Sequence, residues 1–550
     1  MLRPARFAVT LLAASLSMQA LSADPILNVW RGGFAGNAWE EPRNWSLNKV
    51  PAEHHLVEVP GNAPTIVITR DSVADQSGWT FAPKRVRSIR FEKRAGGAPR
   101  PTLTARSVQP PNAPAQRREM PIEILIQATQ EIRLGEGVEI KGADAIRPRT
   151  YTPIKGGSVL LWSAEDSVSS LDGGFSIRAG EGADESIAGL GPDRDGPSVP
   201  PGPGGDVLLL GREVALGTGR IEGGGGGSPV VPDKVDGGAV VIVADGLVTM
   251  DCLIEGGQGC SGGLGGSVVA YSRNESVQIG SDGRVKGGRT GTAPSAANGG
   301  TGGGVLLFAK REVRNDGEVV GGAGRTGGTV VVDAGEVRND GPFAGGKGND
   351  RPGGDVLIFA KDACRQLAPF NGGQGSPAGS VILNGRQIAL AAPITGKRVN
   401  ARAVGDAEAP AVIEFLDGIE IEADELACLE AADGGVLDFS ALSEASAVIS
   451  LGAGGNAVLV GSIELPDGVG DLEQALAVLV DGTYSVAEEG CLIEQCDADI
   501  NQDGVVDDAD LALLLSLWGE SVAWLDLDGD GTVGSGDLSL LLGAWGRCAG

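Results

Sequence analysis

Histidine, tyrosine and methionine are scarce in this chain of 550 residues, which contains 2, 3 and 4 of them. The two histidines, His54 and His55, are adjacent, which favours a solvated turn over a catalytic site and nearly excludes histidine catalysis. Between residues 162 and 518 there is no tryptophan and there are only two tyrosines. Aromatic rings that could stack on sugars are therefore few.

Basic residues are almost missing from the last 150 positions, which hold 2 Lys or Arg against 31 Asp or Glu. The first 400 residues are balanced, with 42 basic and 41 acidic residues. Phosphate backbones and anionic lipids would repel such an acidic region, so nucleic acid and anionic membranes are disfavoured as partners, whereas cations are attracted.

Long hydrophobic runs are also missing, apart from a short one at the N-terminus. Arg3 and Arg6 precede the apolar run 7–16, which is too short to span a bilayer, and small residues follow it. This pattern predicts a signal peptide over residues 1–23 and an exported protein that is extracellular, at the cell surface or periplasmic. No membrane span is expected in the mature chain. Seven cysteines in an exported chain could oxidise, but their odd number leaves at least one unpaired or paired with another chain. The sequence does not give the connectivity, and Cys496 with Cys548 is the favoured pair.

Residues 24–115 are predicted to form an N-terminal β region, because short β-branched runs alternate with Gly, Pro and Asn turns. This region holds four of the eight tryptophans. The stretch from Trp30 through Trp39 and Trp45 to Pro51 resembles a motif at the start of exported bacterial β-helical proteins. We expect these tryptophans to fill a core rather than to form a ligand platform.

Residues 116–400 contain an irregular repeat in which two small residues and one variable residue precede an aliphatic run, as in Gly204-Gly205-Asp206-Val207. The leading valines occupy positions 159, 207, 240, 268, 305, 330, 356 and 381, and the last four are the most evenly spaced. These short spacings cluster at about 25 residues, which suffices for three short strands with corners. The fold class is therefore predicted to be mainly β with a Gly-rich parallel β-solenoid (a β-helix).

The glycines of this repeat are expected at bends with positive φ. The longer spacings are interpreted as Gly- and Pro-rich loops that leave a coil. The alternative to a solenoid is a flexible low-complexity linker, which regularly returning β-branched runs disfavour.

Residues 401–490 hold 19 acidic residues and a single basic one, Arg402. Runs such as 412–416 and 457–460 still have the character of strands. An acidic β cap or linker at the end of the solenoid is the simplest interpretation, because an open last coil would expose unpaired strand edges.

Two twelve-residue segments, 499–510 and 526–537, have the oxygen pattern of calcium loops. In each, positions 1, 3 and 5 carry oxygen side chains, position 6 is glycine, position 7 offers a backbone carbonyl and position 12 is aspartate. Position 9 is aspartate in the first loop and glycine in the second, where water must serve. The predicted metal ligands are Asp499, Asn501, Asp503, Val505, Asp507, Asp510, Asp526, Asp528, Asp530, Thr532 and Asp537, for two Ca²⁺ ions.

The same apolar helix follows each loop, over 511–519 and 538–546. A calcium loop followed by one helix, duplicated, resembles the type I dockerin module of exported bacterial proteins, here over residues 491–550. The resemblance implies a small α-helical, EF-hand-like module that folds with calcium and docks on a cohesin-like or other cell-surface protein.

Three functions remain open from the sequence. The sparse catalytic residue types favour a secreted or cell-surface structural or adhesive protein, and no catalytic residue is assigned. Dockerin modules often accompany carbohydrate-active proteins, which implies as an alternative a glycoside hydrolase or lyase acting on polysaccharide. The third possibility is a carbohydrate-binding protein without catalysis. Carboxylates such as Asp206 and Asp355 occupy the variable position of the repeat, where a hydrated corner is the simpler explanation.

Overall fold

The computed structural model describes most of the chain between residues 25 and 487 and scattered positions beyond. The gaps are 64, 69–83, 94–99, 106–122, 146–154, 171–173, 184–185, 188–197, 200, 228–234, 261, 291–299, 350, 406–409, 433–434, 443–447 and 466–471. After 487 the described positions are 498, 500, 505–506, 510, 514, 527, 533–534, 537–538, 540–541, 544 and 546–547. One compact unit holds residues 22–457 and 461–485, and a second holds residues 458–460 and the chain from residue 486 onward.

The large unit is built from one parallel sheet whose strands fall into three ladders. Ladder 1 contains β4 (Lys84–Val86), β7 (Ile124–Ala128), β10 (Val159–Ser163), β15 (Val207–Gly211), β18 (Val240–Ala244), β21 (Val268–Ser272), β24 (Val305–Ala309), β31 (Val381–Gly385) and the first halves of β27 (Val330–Asn339) and β29 (Val356–Gln366). Ladder 2 contains β1 (Ile26–Val29), β2 (His55–Val59), β5 (Ser88–Phe91), β8 (Ile132–Leu134), β11 (Ser167–Ser170), β16 (Glu213–Leu216), β19 (Val248–Met250), β22 (Val277–Ile279), β25 (Glu312–Asn315), the second halves of β27 and β29, β32 (Gln387–Leu390), β34 (Val412–Phe415), β36 (Val436–Asp438) and β39 (Ser462–Glu464).

Ladder 3 contains β3 (Ile66–Ile68), β6 (Thr102–Ala105), β9 (Glu139–Lys141), β12 (Phe175–Arg178), β17 (Gly219–Glu222), β20 (Leu253–Glu255), β23 (Arg284–Lys286), β26 (Glu318–Val320), β28 (Phe343–Ala344), β30 (Phe370–Asn371), β37 (Ile449–Leu451) and β40 (Val480–Asp481). The first halves of β33 (Ile394–Ala403) and β35 (Ile421–Ala431) also belong to ladder 3, and their second halves continue ladder 1. The other elements are 3-10 turns Ala35–Asn37 and Pro42–Asn44, the antiparallel pair β13 (Ser186–Ile187) and β14 (Ser198–Val199), β38 (Asn456–Val460), helix α1 (Leu472–Leu479), β41 (Thr483–Ala487), β42 (Val505–Val506) and β43 (Gly546–Arg547).

The leading valines of the repeat stack in a single register of ladder 1, from Val159 on Val207 to Val356 on Val381. All eight valine side chains are fully buried, because alternate residues of each strand point to the interior. Each strand pairs with the equivalent strand of the next coil, which is the arrangement of a parallel β-solenoid. The predicted mainly β fold with a large parallel sheet is confirmed.

The irregular spacing of the repeat has one origin, the corner between ladder 3 and ladder 1. The chain leaves this corner at one glycine and returns at another, from Gly180 to Gly205 by a long loop but from Gly322 to Gly328 by a short one. The three strands between a return and the next departure, in contrast, occupy a nearly constant length of chain. Loops of different length at one corner therefore account for the spacing.

Close backbone approach, and not positive φ, explains the glycines at this corner, so the expectation of positive φ is wrong. The departing and returning segments lie side by side and exchange backbone hydrogen bonds, as in Gly224 N to Gly205 O and Gly238 N to Gly224 O, both 2.8 Å. A Cβ at Gly238 would stand 1.7 Å from the Gly205 carbonyl oxygen. Between residues 142 and 379, Gly262 is the only described glycine with positive φ. The bonds continue from glycine to glycine as far as Gly379, and we call this series the glycine ladder.

Three of the four N-terminal tryptophans are buried, as expected for core fillers, and the fourth, Trp79, lies outside the described residues. Trp30, Trp39 and Trp45 are 2%, 1% and 0% exposed, and the Trp45 ring lies 4.8 Å from each of the other two in edge-to-face geometry. The Trp45 indole nitrogen donates to the Trp39 carbonyl at 2.8 Å, which satisfies its buried donor. Trp39 in turn bonds through its backbone to Val67 in the first strand of ladder 3.

The ladders cross both boundaries that the composition suggested. Lys84 in β4 pairs with Ile126 in β7 across residue 116, and Val399 in β33 pairs with Ala427 in β35 across residue 401. The acidic segment therefore supplies further coils of the same sheet. At its end, α1 buries Leu476 and Leu479, and the Leu479 carbonyl accepts a bond from Val448 N at 2.8 Å.

Candidate calcium-binding module

The structure describes three of the eleven predicted calcium ligands, Val505, Asp510 and Asp537. Val505 lies in β42, which pairs antiparallel with β43 through Val505 with Arg547 and Val506 with Gly546. The other predicted ligands lie outside the described residues: Asp499, Asn501, Asp503, Asp507, Asp526, Asp528, Asp530 and Thr532.

Residues at equivalent positions of the two predicted loops have equivalent burial. Position 8 is Val506 in the first loop and Val533 in the second, and both side chains are 0% exposed. Position 12 is Asp510 in the first loop and Asp537 in the second, and these carboxylates are also 0% exposed. Four residues further on, a leucine is fully buried in each copy. Equivalent residues of the two sequence copies are therefore buried to the same extent.

The second loop shows how its position-12 carboxylate is held. Asp537 Oδ2 accepts a hydrogen bond from the backbone N–H of Gly534 at 2.6 Å, and Asp537 itself has helical backbone. Gly534 is position 9, where the side chain is missing and the backbone amide faces the carboxylate instead. Two fully buried carboxylates at the same loop position suit a hard divalent cation, because burying a carboxylate is costly unless charge or hydrogen bonds compensate it. Among the described positions no three acidic, histidine or cysteine side chains gather into one metal-holding group.

The cysteines divide into chemical states that the sequence did not separate. Cys428 is disulfide-bonded, whereas Cys252 and Cys364 are free thiols and Cys260 Sγ donates to the Gly226 carbonyl at 3.4 Å. Burial raises the pKa of the Cys252 and Cys364 thiols to about 12, which keeps them protonated and unreactive. The predicted pair Cys496 and Cys548 lies outside the described residues.

The carboxylates at the variable position of the repeat bond to the neighbouring coil. One oxygen of Asp206 accepts from Ala239 N at 2.8 Å and the other forms an ion pair with Lys155. Asp355 accepts from Ser380 N at 2.7 Å in the same way. Burial raises the pKa of the nearby Glu123 carboxyl, and the positive charge of Lys155 opposes that rise. The hydrogen bonds give Asp206 and Asp355 a structural role.

His55 is buried at the start of β2 and does not lie in the solvated turn expected from the sequence. His55 is 3% exposed, and its Nδ1 accepts a hydrogen bond from Ala52 N at 2.9 Å in the turn before β2. Burial lowers the pKa of His55, so its ring is neutral at neutral pH.

A column of charged residues on the outer side of ladder 2 was not recognised from the sequence. Arginines 314, 338 and 365 occupy one register on neighbouring strands, and acidic residues 414, 438 and 464 continue the same register further along. A signal for part of this arrangement was present, because Glu-Val-Arg-Asn-Asp-Gly occurs both at 312–317 and at 336–341.

No family model, curated protein or solved structure matches this chain. In the part of the chain that the structure describes, none of the helices has the length and apolar character needed to cross a membrane.

Proposed function

We propose that this chain is an exported structural or adhesive protein whose solenoid is a scaffold and whose C-terminal module binds two calcium ions. In this proposal the calcium-loaded module is a dockerin-like attachment device for a cohesin-like or other cell-surface protein. The main support for calcium binding is that Asp510 and Asp537, at position 12 of the two duplicated loops, are both completely buried.

The role of a scaffold is supported by how the solenoid uses its polar residues. Buried amides and corner carboxylates bond to the backbone of the next coil, as Asp206 and Asp355 do, and the thiols of Cys252 and Cys364 are buried and protonated. Such groups hold coils together and do not face a substrate. A disulfide at Cys428 suits the oxidising compartments to which exported proteins go.

In the proposed module each ion is held by the oxygens at positions 1, 3, 5, 7 and 12 of one loop, with Asp507 at position 9 of the first. A bound ion would supply positive charge between carboxylates that repel one another in its absence. The chain's own contribution is to orient these groups: the Gly534 N–H fixes the Asp537 carboxylate, and Val506 and Val533 keep water from the region behind the loops.

A calorimetric calcium titration of the full chain tests this function, with circular dichroism before and after chelation. We expect about two ions per chain and a gain of helix. Asp503→Ala removes a ligand and should abolish one of the two binding events, whereas Asp508→Ala removes an equal charge outside the ligand set and should leave both. Equal losses from the two variants would show that bulk negative charge attracts calcium, and no binding at all would refute the proposal.

The two polysaccharide hypotheses make separate predictions. A hydrolase or lyase would release reducing ends or unsaturated products from a polysaccharide panel, and this result would overturn the purely structural role. A carbohydrate-binding protein would bind a glycan array without turnover, and chelation would abolish that binding if the calcium module presents the site.

A further inference from the structure

The outer side of ladder 2 carries a column of seven residues whose charges have opposite sign in its two halves. Each residue is the register partner of the next on neighbouring parallel strands, over the seven coils from β25 to β39. In order, the column is Arg314, Arg338, Arg365, Ala389, Glu414, Asp438 and Glu464. Three positive charges, one neutral residue and three negative charges thus succeed one another along the face.

Like charges in this column are close enough to repel one another. Neighbouring strands lie about 4.8 Å apart, and like charges directly opposite on adjacent strands are destabilising. Arg314 and Arg338 are each partly neutralised by an aspartate two residues on, with nitrogen–oxygen distances of 3.0 and 2.8 Å. Arg365 is exposed and has no ion pair among the described residues, because its coil has Leu367 where the other two have aspartate.

The charged side chains of the column are accessible. The Arg314 and Arg338 side chains are 42% and 43% exposed, and Arg365 and Glu464 are exposed residues. Glu414 and Asp438 are partly exposed. A partner could therefore reach the whole column without any rearrangement of the coils.

The charges of the column complement those of a second copy when the order of the coils in that copy is reversed about Ala389. A half-turn about the strand direction through Ala389 reverses the order of the coils and keeps each column opposite its own copy. Arg314 then faces Glu464 of a second copy, Arg338 faces Asp438, and Arg365 faces Glu414. Because the axis is two-fold, each contact occurs twice, which gives six opposite-charge pairs.

The neighbouring column of residues is compatible with the same half-turn. Two residues earlier on the strands, the register is Glu312, Glu336, Ala363, Gln387, Val412, Val436 and Ser462. The half-turn places Glu312 opposite serine and Glu336 opposite valine, and the two Gln387 side chains meet each other. No like charges are brought together in this second column.

We propose that the outer side of ladder 2 is an isologous docking surface for a second copy of this chain, in antiparallel orientation about Ala389. Seven strands extend over about 34 Å including their edges, and four residues of strand over about 13 Å, so the surface offers about 450 Å² per copy. This area is below that of a standard stable interface, so association is weak, in the micromolar range or weaker, and depends on salt. Calcium is not required, so this inference is independent of the proposed function.

Sedimentation velocity of the full chain tests this inference, with a chelator present so that the C-terminal module contributes nothing. At about 100 μM chain we expect dimers at about 20 mM NaCl and monomers at about 500 mM, where the screening length falls to a few ångströms. Arg338→Glu and Asp438→Arg should each abolish the dimer at low salt. The double variant carrying both changes should dimerise again, because the two charges are exchanged across the two-fold axis.

Mixing the two single variants gives a sharper test of orientation. Arg338→Glu and Asp438→Arg chains should form a heterodimer at low salt, because every contact between them joins opposite charges. Arg284→Glu, which reverses an exposed charge on ladder 3, is the matched control and should dimerise like the unaltered chain. Circular dichroism of each variant verifies that it has folded. A monomeric unaltered chain at low salt, or failure of both the double variant and the mixture to associate, would overturn the proposal, and dimers that ignore these substitutions would place the contact elsewhere.

Discussion

The coils up to Gly379 and the acidic coils from Ile394 to Glu464 build the same ladders with different corners. In the Gly-rich coils the chain leaves the corner between ladders 3 and 1, makes a loop and returns. The departing and returning backbone segments therefore lie in contact at that corner. In the acidic coils, β33 and β35 run through that corner without leaving it. The sheet itself therefore does not require glycine; the loops at this corner do, because their two ends must lie in backbone contact.

The interior changes at the same point along the chain. One inward register of ladder 2 carries Asn315, Asn339 and Gln366 and then continues with Leu390 and Phe415. The amides are 0% exposed and bond to one another or to backbone carbonyls, such as Asn315 Nδ2 to Asn339 Oδ1 at 3.0 Å. In the acidic coils a stacked pair of rings takes over, with Phe415 4.1 Å from Phe439. Coils with the same sheet can thus be held by amide bonds or by apolar packing.

The largest effect is expected from a side chain in the glycine ladder. In Gly224→Ala the new Cβ would stand 1.9 Å from the Gly180 carbonyl oxygen, so two backbone segments must separate. The free energy of local opening, measured by hydrogen exchange over residues 205–244, should fall by about 3 kcal/mol or more.

The adjacent glycine is the control for this change. A Cβ at Gly225 meets only the Gln258 carbonyl oxygen at 3.9 Å, which is an ordinary contact. Gly225→Ala should change the opening free energy by less than about 0.5 kcal/mol. Equal effects at the two positions would show that backbone freedom, and not close approach, selects glycine here.

A smaller effect is expected from the amide column. Asn339→Ala removes the acceptor of the Asn315 amide and the donor to the Ala368 carbonyl, at 3.0 and 3.1 Å. Loss of these buried bonds should lower the opening free energy of the coils around β27 by about 2 kcal/mol, measured by hydrogen exchange. Asn384→Ala, at a partly exposed outward position of β31, is the control and should have little effect. An unchanged opening free energy in Asn339→Ala would mean that these amides contribute packing but no stabilising hydrogen bonds.

A still smaller effect, although larger than that of the controls, is expected where the acidic coils pass the same corner. A Cβ at Gly396 would lie 3.0 Å from the Gly379 carbonyl oxygen and 3.2 Å from that of Arg398, so a shift of a few tenths of an ångström accommodates it. Gly396→Ala should therefore cost about 1 kcal/mol, read from the exchange of β33 and β35. A cost as large as that of Gly224→Ala would remove the distinction between the two kinds of corner.

Much of the solenoid could be predicted because its coils repeat a local pattern. The leading valines were identified from spacing alone, since each coil must return an aliphatic run to the interior. The second pair of glycines, as at 223–224 and 256–257, was missed because it lies at the end of a strand and not before one. Its function depends on which backbone it touches in the next coil, and this contact is not local in sequence.

The calcium ligands were predicted from the spacing of oxygen side chains within one short loop. This pattern is local, because each loop contains all of its own proposed ligands. The burial of Asp510 and Asp537 was not predictable, because it depends on what covers the loops. The column of charge on ladder 2 was equally hidden, since Arg365 and Glu414 are far apart in sequence but only two coils apart in the sheet.

The sequence by itself determined the period of the coils, the identity of their buried residues and the ligand pattern of the proposed calcium loops, because each depends on residues within one coil or one loop. Only the tertiary structure decided which glycines lie in backbone contact, which amides bond to one another and which charges share a register. The physical reason is that loops of very different length separate successive coils, as between Gly180 and Gly205 and between Gly322 and Gly328. Equivalent strands stack in one register whatever the length of the loop between them, so residues from distant positions in the sequence become neighbours.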